Sequence, residues 1–295
     1  MNIKIVISDD MEKEVVAEIM ELGTVVYKPA DLKKELSDAT VLVVRSATKV
    51  TQELITSSQK LKIVARAGVG LDNVDVKACE GRKIKVVNTP GASSNAVAEL
   101  VIGVMISMLR NVQKAHHQMK NKIWDKKKLT GSEIAGKTFG IIGCGRIGAM
   151  VAEKAHALGM NIVGYDPNPR ADPKIKFVGL DELYAQADVI SLHTVLLPQT
   201  IGMINADSIA KMKNGVYILN MARGELVDED ALYEGCKSGK IAGAALDVFP
   251  TEPYTGKLLE LDNVFFTPHL GASTKEAQMR IGKELVEKLK EELHY

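Results

Sequence analysis

The sequence predicts an α/β protein of two doubly wound parallel-sheet domains, on three observations. Short β-branched runs alternate with segments of helical period along nearly the whole chain, the pattern of βαβ units. Those runs are apolar on both faces, as strands covered by helices on each side must be. At 295 residues the chain exceeds what one ordinary core serves well, so two domains are expected.

In the first third, strands are expected at Ile3–Ile7, Val25–Tyr27, Val41–Val44, Lys62–Ala65 and Lys85–Val87. Helical stretches over Met11–Glu21, Thr51–Ser58 and Val74–Cys79 fall between them, which suggests a five-stranded, flavodoxin-like sheet. The loop Thr89-Pro90-Gly91-Ala92-Ser93-Ser94-Asn95 then opens a long helical pattern, capped by Ser93 or Ser94 and running to about Lys120. Such a helix would be roughly 40 Å long. From Lys137 a second series begins, with strands at Thr138–Ile142, Asn161–Tyr165, Val189–Leu192, Val216–Asn220, Gly243–Leu246 and Val264–Thr267. Six strands with intervening helices match a dinucleotide-binding Rossmann domain. The last segment, Lys275–Glu292, is a charged amphipathic helix placed to return to the first domain.

Composition excludes several partners. Hydrophobic residues make up 46% and charged residues 25%, an ordinary globular balance, and the net charge of +1 gives no attraction for nucleic acid or an anionic membrane. Lys126-Lys127-Lys128 is too short to read as more than a solvated surface. Cys79, Cys144 and Cys236 lie far apart, with neither a disulfide framework nor metal-ligand spacing. The N-terminal Met1-Asn2-Ile3 stretch leads into a strand rather than a signal peptide, and Leu100–Leu109 is too short to cross a bilayer, so the cytoplasm is the expected compartment. His116-His117 read as helix surface, and Trp124 as a residue packed in the arm after that helix.

Gly143-Cys144-Gly145-Arg146-Ile147-Gly148 is a GxGxxG between a strand and a helix-forming run. Alone the string is weak. Its context strengthens it, because Asp166 ends the next strand 18 residues past Gly148. Gly143 permits the tight turn, Gly145 lets backbone approach a pyrophosphate, and Gly148 lets helix and strand pack closely. Free N–H groups and the helix dipole then hold phosphate. Asp166 can accept hydrogen bonds from both adenosine-ribose hydroxyls and would repel a 2′-phosphate, which selects NAD over NADP; Arg170 nearby argues the other way.

Three further stretches follow strand ends, where open α/β sheets bind ligands. They are Asn220–Glu225, Asp247–Pro253 and Thr267–Ser273, and each delivers one useful group: Arg223, Glu252 and His269. A guanidinium can hold a carboxylate bidentately, a histidine can exchange a hydroxyl proton, and a carboxylate behind it fixes its tautomer and favours its protonated form. Hydride transfer at a 2-hydroxy acid needs those three roles. Taken singly, each residue reads as structural: Arg223 paired with Glu225, Glu252 in a turn between prolines, His269 as a helix cap.

These residues carry a resemblance. Over nearly its whole length the chain is similar to the D-isomer-specific 2-hydroxyacid dehydrogenases, and within them most of all to the catalytic core of the phosphoglycerate dehydrogenases. The matching stretches are Val44–Thr51, Arg66–Asp75, the glycine loop, Ala244–Phe249 and His269–Gln278. The resemblance implies a discontinuous substrate domain, 1–94 plus 275–295, around an NAD-binding Rossmann domain, 95–274. It implies Arg223, Glu252 and His269 as the catalytic set. Contacts to NAD are implied for Gly143, Gly145, Arg146, Ile147, Gly148, Asp166, Thr194, Met221, Ala222, Asp247, Gly271 and Ala272, with Asp247 near the nicotinamide amide. It also implies a homodimer joined through the nucleotide domains.

The narrower assignment rests on Arg45-Ser46-Ala47-Thr48, where an arginine and hydroxyl-bearing loop after a strand make an anion cradle for a substrate phosphate. Arg66 would add a second positive charge, and the amides of Gly68 and Val69 would receive the carboxylate. The expected reaction is NAD-dependent oxidation of D-3-phosphoglycerate to 3-phosphohydroxypyruvate, the first step of L-serine biosynthesis. Reduction of glyoxylate, hydroxypyruvate or another 2-oxo acid is the alternative; an NAD-sensing, corepressor-like binding protein is the alternative of another class. Three positions depart from the family pattern: Val69 where threonine is common, Val195 where proline follows His193-Thr194, and Cys144, expected to be a packed thiol, where a large apolar residue is usual.

Overall fold

The computed structural model describes residues 3–295; Met1 and Asn2, at the head of the expected first strand, lie outside the described residues. The chain divides into two compact units. One comprises the described part of Met1–Ser94 together with Ala272–Tyr295, and the other is Asn95–Gly271.

The first unit alternates β1 (Lys4–Ile7), α1 (Lys13–Met20), β2 (Thr24–Tyr27), α2 (Leu32–Leu36), β3 (Val41–Val44), α3 (Gln52–Thr56), β4 (Ile63–Arg66), α4 (Val76–Gly81) and β5 (Lys85–Asn88). Its five strands are all parallel, in the order β2-β1-β3-β4-β5. The helices begin where side chains can replace missing backbone partners: Asp31, Thr51 and Asp75 each accept the N–H three residues on. An apolar layer covers each face of the sheet, one around Ile5, Val43 and Ala65, the other around Val6, Leu42 and Val64. Alternate residues of the same strands therefore feed opposite layers, which is why these strands read as unbroken apolar runs.

The second unit begins on α5 (Ser94–Leu109) and α6 (Val112–Lys120), then runs β6 (Thr138–Ile142), α7 (Arg146–Ala157), β7 (Asn161–Tyr165), β8 (Lys176–Phe177), α8 (Leu180–Gln186) and β9 (Val189–Leu192). It continues through α9 (Ala206–Lys211), β10 (Val216–Asn220), α10 (Glu229–Ser238), β11 (Ile241–Leu246) and β12 (Val264–Phe266). Seven parallel strands form one sheet in the order β12-β11-β10-β9-β6-β7-β8. The seventh, β8, was not expected: two residues are too few to show a period.

The expected long helix is two helices. Asn111 adopts the left-handed conformation (φ 52°, ψ 30°), and the chain bends by 65° between α5 and α6. Asparagine tolerates that conformation better than most residues. The break separates unlike segments, since α5 buries Val97, Ala98, Val101, Val104 and Met105 while α6 buries nothing. Ser94, expected as a possible cap, leaves its hydroxyl without a partner. Trp124, expected to pack, is 79% exposed, and Met119 and Ile123 beside it are half-exposed. Among the described residues no single helix is long and apolar enough to cross a membrane.

The chain returns to the first unit as α11 (Lys275–Leu293), capped by the Thr274 side chain on the Ala277 N–H. Its inner face buries Ala277, Ile281, Leu285, Val286 and Leu289. Arg280 Nε donates to the Ala92 carbonyl at 3.0 Å and Lys288 Nζ to the Asn88 carbonyl at 2.5 Å, which ties it to the end of β5.

Candidate active site

Because every strand of the second sheet points the same way, the loops after β6, β7, β9, β10, β11 and β12 share its C-terminal edge. All the chemistry expected of this half stands there.

The glycine loop turns between β6 and α7. Gly143 has φ 92°, and a Cβ there would lie 2.6 Å from backbone atoms of His193 and Thr194. A Cβ on Gly148 would lie 2.1 Å from the Gly143 carbonyl oxygen, so helix and turn are in backbone contact. Gly145 is different: no atom lies within 4 Å of where its Cβ would be. That gap sits at the start of α7, where no side chain caps the free N–H groups of Arg146 and its neighbours. An uncapped helix N-terminus with open space before it suits a pyrophosphate. Asp166, just past β7, accepts the Cys144 N–H (2.8 Å) and the Asn168 N–H (2.9 Å), one on each carboxylate oxygen. Each oxygen keeps a second lone pair, which is what a ribose diol requires. These residues fit an adenine dinucleotide. The Cys144 thiol is packed toward the carbonyls of Ile141 and Tyr165, and burial pushes it up to about 12.

His269 stands past β12 with φ 55°, a left-handed conformation uncommon outside glycine, though histidine adopts it more readily than most residues. The surrounding loop holds it there. Its N–H donates to the Asp247 carbonyl (2.9 Å), and the Asp247 carboxylate accepts from Thr267 Oγ1 (2.6 Å) and from the N–H groups of Leu270 (2.6 Å) and Gly271 (2.8 Å). Asp247 is buried, and these three donors give its carboxylate the hydrogen bonds burial demands. It thus organises the histidine loop, a role the sequence did not disclose. The imidazole Nδ1 lies 3.0 and 3.1 Å from the two Glu252 carboxylate oxygens, so Nε2 is the nitrogen left to meet a substrate. Glu252 Oε1 also accepts the Phe249 N–H at 3.1 Å, and the Phe249 ring stacks on Tyr254 at 4.4 Å.

Arg223 follows β10 in an extended conformation, its loop held by Asn220, whose side chain accepts the Ala222 N–H and donates to the Arg223 carbonyl. One guanidinium nitrogen donates to the Ala222 carbonyl at 2.6 Å. The next residue, Gly224, packs on the backbone of Phe249 and Pro250, so the arginine and glutamate loops touch. Met221 is buried, and Thr194 lies against the glycine turn.

In the first unit, Arg45–Thr48 follows β3. Arg45 is partly buried with one guanidinium nitrogen on the Asp10 carbonyl (3.0 Å), while Ser46 and Ala47 are exposed. The Thr48 hydroxyl, expected among the phosphate donors, instead donates to Asp9 at 2.5 Å. Arg66 ends β4, and its guanidinium crosses Gly68 so closely that a Cβ there would lie 1.6 Å away. The Val69 carbonyl is held by Asn88 Nδ2 at 2.6 Å.

Sequence reasoning missed three residues here: Asp9, Asn73 and His193. His193 follows β9, shares a 2.8 Å contact from Nε2 to Ser191 Oγ, and is pushed down to about 4 by burial. The signal was a serine two residues before a histidine, which places both on one side of a strand.

Comparison with known proteins gives one consistent result. The model for the NAD-binding domain of D-isomer-specific 2-hydroxyacid dehydrogenases matches residues 102–271. The chain is 49% identical to a hydroxypyruvate reductase of Thermotoga maritima, covering 97% of each. It is 47% identical to a D-3-phosphoglycerate dehydrogenase of Methanocaldococcus jannaschii, covering 99% of this chain and 57% of that one. The chain thus spans little more than half the length of that phosphoglycerate dehydrogenase. Among solved structures it is similar to an Aquifex aeolicus D-lactate dehydrogenase complexed with NAD and lactic acid, at 32% identity and a TM-score of 0.88 over 99% of this chain and 95% of that one.

Proposed function

The chain belongs to the D-isomer-specific 2-hydroxyacid dehydrogenases, and from that premise we propose that it oxidises D-3-phosphoglycerate to 3-phosphohydroxypyruvate. NAD is the cofactor, and when bound it supplies the hydride acceptor. The Arg223 guanidinium holds the substrate carboxylate and polarises the neighbouring carbon–oxygen bond. His269 Nε2 takes the hydroxyl proton as the carbon–hydrogen bond delivers its hydride, and returns a proton in the reverse direction. Glu252 on Nδ1 fixes the tautomer and balances the positive charge the ring acquires. The Arg45 loop receives the phosphate through the guanidinium and the N–H groups of the exposed residues Ser46 and Ala47, and Arg66 adds a second positive charge. The amides of Gly68 and Val69 are assigned to the carboxylate.

The observation that carries the substrate choice is that exposed arginine-led loop. Arg45→Ala should raise KM for D-3-phosphoglycerate about tenfold or more, because a charge-assisted contact is lost. The assay is NAD reduction on D-3-phosphoglycerate, D-glycerate and D-lactate, with 3-phosphohydroxypyruvate removed chemically. Turnover on the unphosphorylated acids alone would sink the reading. A second reading, hydroxypyruvate reduction, is favoured by the Thermotoga relative, whose match covers 97% of each chain. The cytoplasm is the compartment proposed for it. A homodimer through the second unit is supported by the exposed apolar surface of Val112, Met119, Ile123 and Trp124 on α6 and the arm after it.

A further inference from the structure

Beneath the Arg45–Thr48 loop lies a carboxylate. Asp9, just past β1, is 7% exposed, and each hydrogen bond it receives within the loop comes from a residue 36 or 39 positions away. One oxygen accepts the N–H groups of Arg45 (2.6 Å) and Thr48 (3.2 Å); the other accepts the Thr48 hydroxyl (2.5 Å). The Thr48 oxygen also lies 2.9 Å from Ser8 Oγ. Asn73 Nδ2 in turn donates to the carbonyls of both Arg45 and Thr48, each at 2.7 Å. Donors and acceptors at both ends of the four-residue loop are thereby fixed to the scaffold. Only the middle, Ser46 and Ala47, faces outward.

A buried negative charge under a loop meant for an anion is electrostatically unfavourable. Its retention makes sense if the shape it imposes matters more than the repulsion it adds. We infer that Asp9 is a positioning residue: it holds the 45–48 loop in the form that presents Arg45, Ser46 and Ala47 to the terminal anionic group of the substrate. The inference rests on the reading of that loop as the phosphate subsite.

Positioning and simple charge repulsion predict opposite signs. If Asp9 acted only as a charge, Asp9→Ala and Asp9→Asn would both lower KM for D-3-phosphoglycerate. If it positions the loop, Asp9→Ala leaves three loop donors without their acceptor. The ratio of kcat/KM on D-3-phosphoglycerate to that on D-glycerate should then fall about tenfold, chiefly through KM. Asp9→Asn keeps an acceptor and should recover part of that loss. Should Asp9→Ala fold poorly, Thr48→Val removes one of the same donors and should lower the ratio, whereas Thr48→Ser should restore it.

Hydrogen exchange at the amides of Arg45 and Thr48 provides the readout independent of substrate: both, hydrogen-bonded to Asp9, should be protected in the wild type and exchange faster in the Asp9 variants. An unchanged or increased ratio with unchanged exchange overturns the inference, and so does an equal loss on both substrates. If Arg45→Ala alters no substrate, the phosphate reading fails. Asp9 then stands as the loop's positioning residue if its variants exchange faster, and falls if they do not.

Discussion

His193 and His269 both stand just beyond the C-terminal ends of strands in the second sheet, in opposite surroundings. His193 is largely but not wholly buried, its Nε2 faces a serine hydroxyl, and burial holds it down to about 4, so it stays neutral through the physiological range. His269 has nearly half its side chain exposed, its Nδ1 against a carboxylate that is itself 40% exposed. A proton arriving at His193 would create a buried charge with only a hydroxyl to meet it. The His269 ring instead lies against a carboxylate at 3.0 Å and is open to water. Position at a strand end is therefore not what makes a histidine able to exchange protons; the partner and the access to water are.

That contrast can be broken by removing the partner. Glu252→Gln should lower kcat/KM about a hundredfold, because the imidazolium loses its counter-charge. Steady-state kinetics across pH check this, and an unaltered rate would separate Glu252 from the proton transfer. The glycine loop sharpens a second contrast, between room for a ligand and room for the fold. Gly145→Ala adds a methyl into open space, so the protein should fold normally while NAD affinity falls about tenfold or more. Gly148→Ala meets a carbonyl at 2.1 Å and should cost about 1–3 kcal/mol of stability. Calorimetric NAD titration and urea unfolding on both variants would expose any failure of that split.

A further effect, confined to acid pH, concerns His193. Its folded value lies below the ordinary 6.5, so between about pH 6.5 and 4 the unfolded chain binds a proton that the folded one does not. Folding stability attributable to this group is unpenalised above pH 6.5 and declines as pH falls, by about 2 kcal/mol at pH 5. His193→Gln cannot titrate, and its urea midpoint should fall less between pH 7 and pH 5 than the wild type's. An identical acid slope would show that burial does not hold the ring neutral.

Much of the fold was legible because parallel sheets write themselves locally. Val41–Val44 and Val189–Leu192 are apolar on both faces, and their bounds in sequence and structure agree. The two-residue β8 carries no period, and nothing local announced that Asn111 would turn left-handed within an apolar-to-polar helical run. Trp124 was misplaced because a lone tryptophan is ordinarily buried, whereas here it lies on a surface that the single chain leaves open. At the site, the His269–Glu252 contact follows from the rule that chemistry gathers at strand ends. The Asp9 and Asn73 contacts follow from no local rule. They join residues 25 to 39 positions apart: Asp9 meets the loop only once β1 and β3 pair, and Asn73 only once β4 pairs with β3 and Val74 bridges Val50.

The central claim is that His269 moves the proton in a reaction for which the second unit independently holds the cofactor. His269→Ala should be purified and followed in two ways, by NAD binding in a calorimeter and by NAD reduction on the preferred hydroxy acid. The account predicts NAD affinity within about twofold of wild type and turnover reduced by about a thousandfold or more. Turnover near the wild-type rate, or NAD binding lost together with activity, would contradict it.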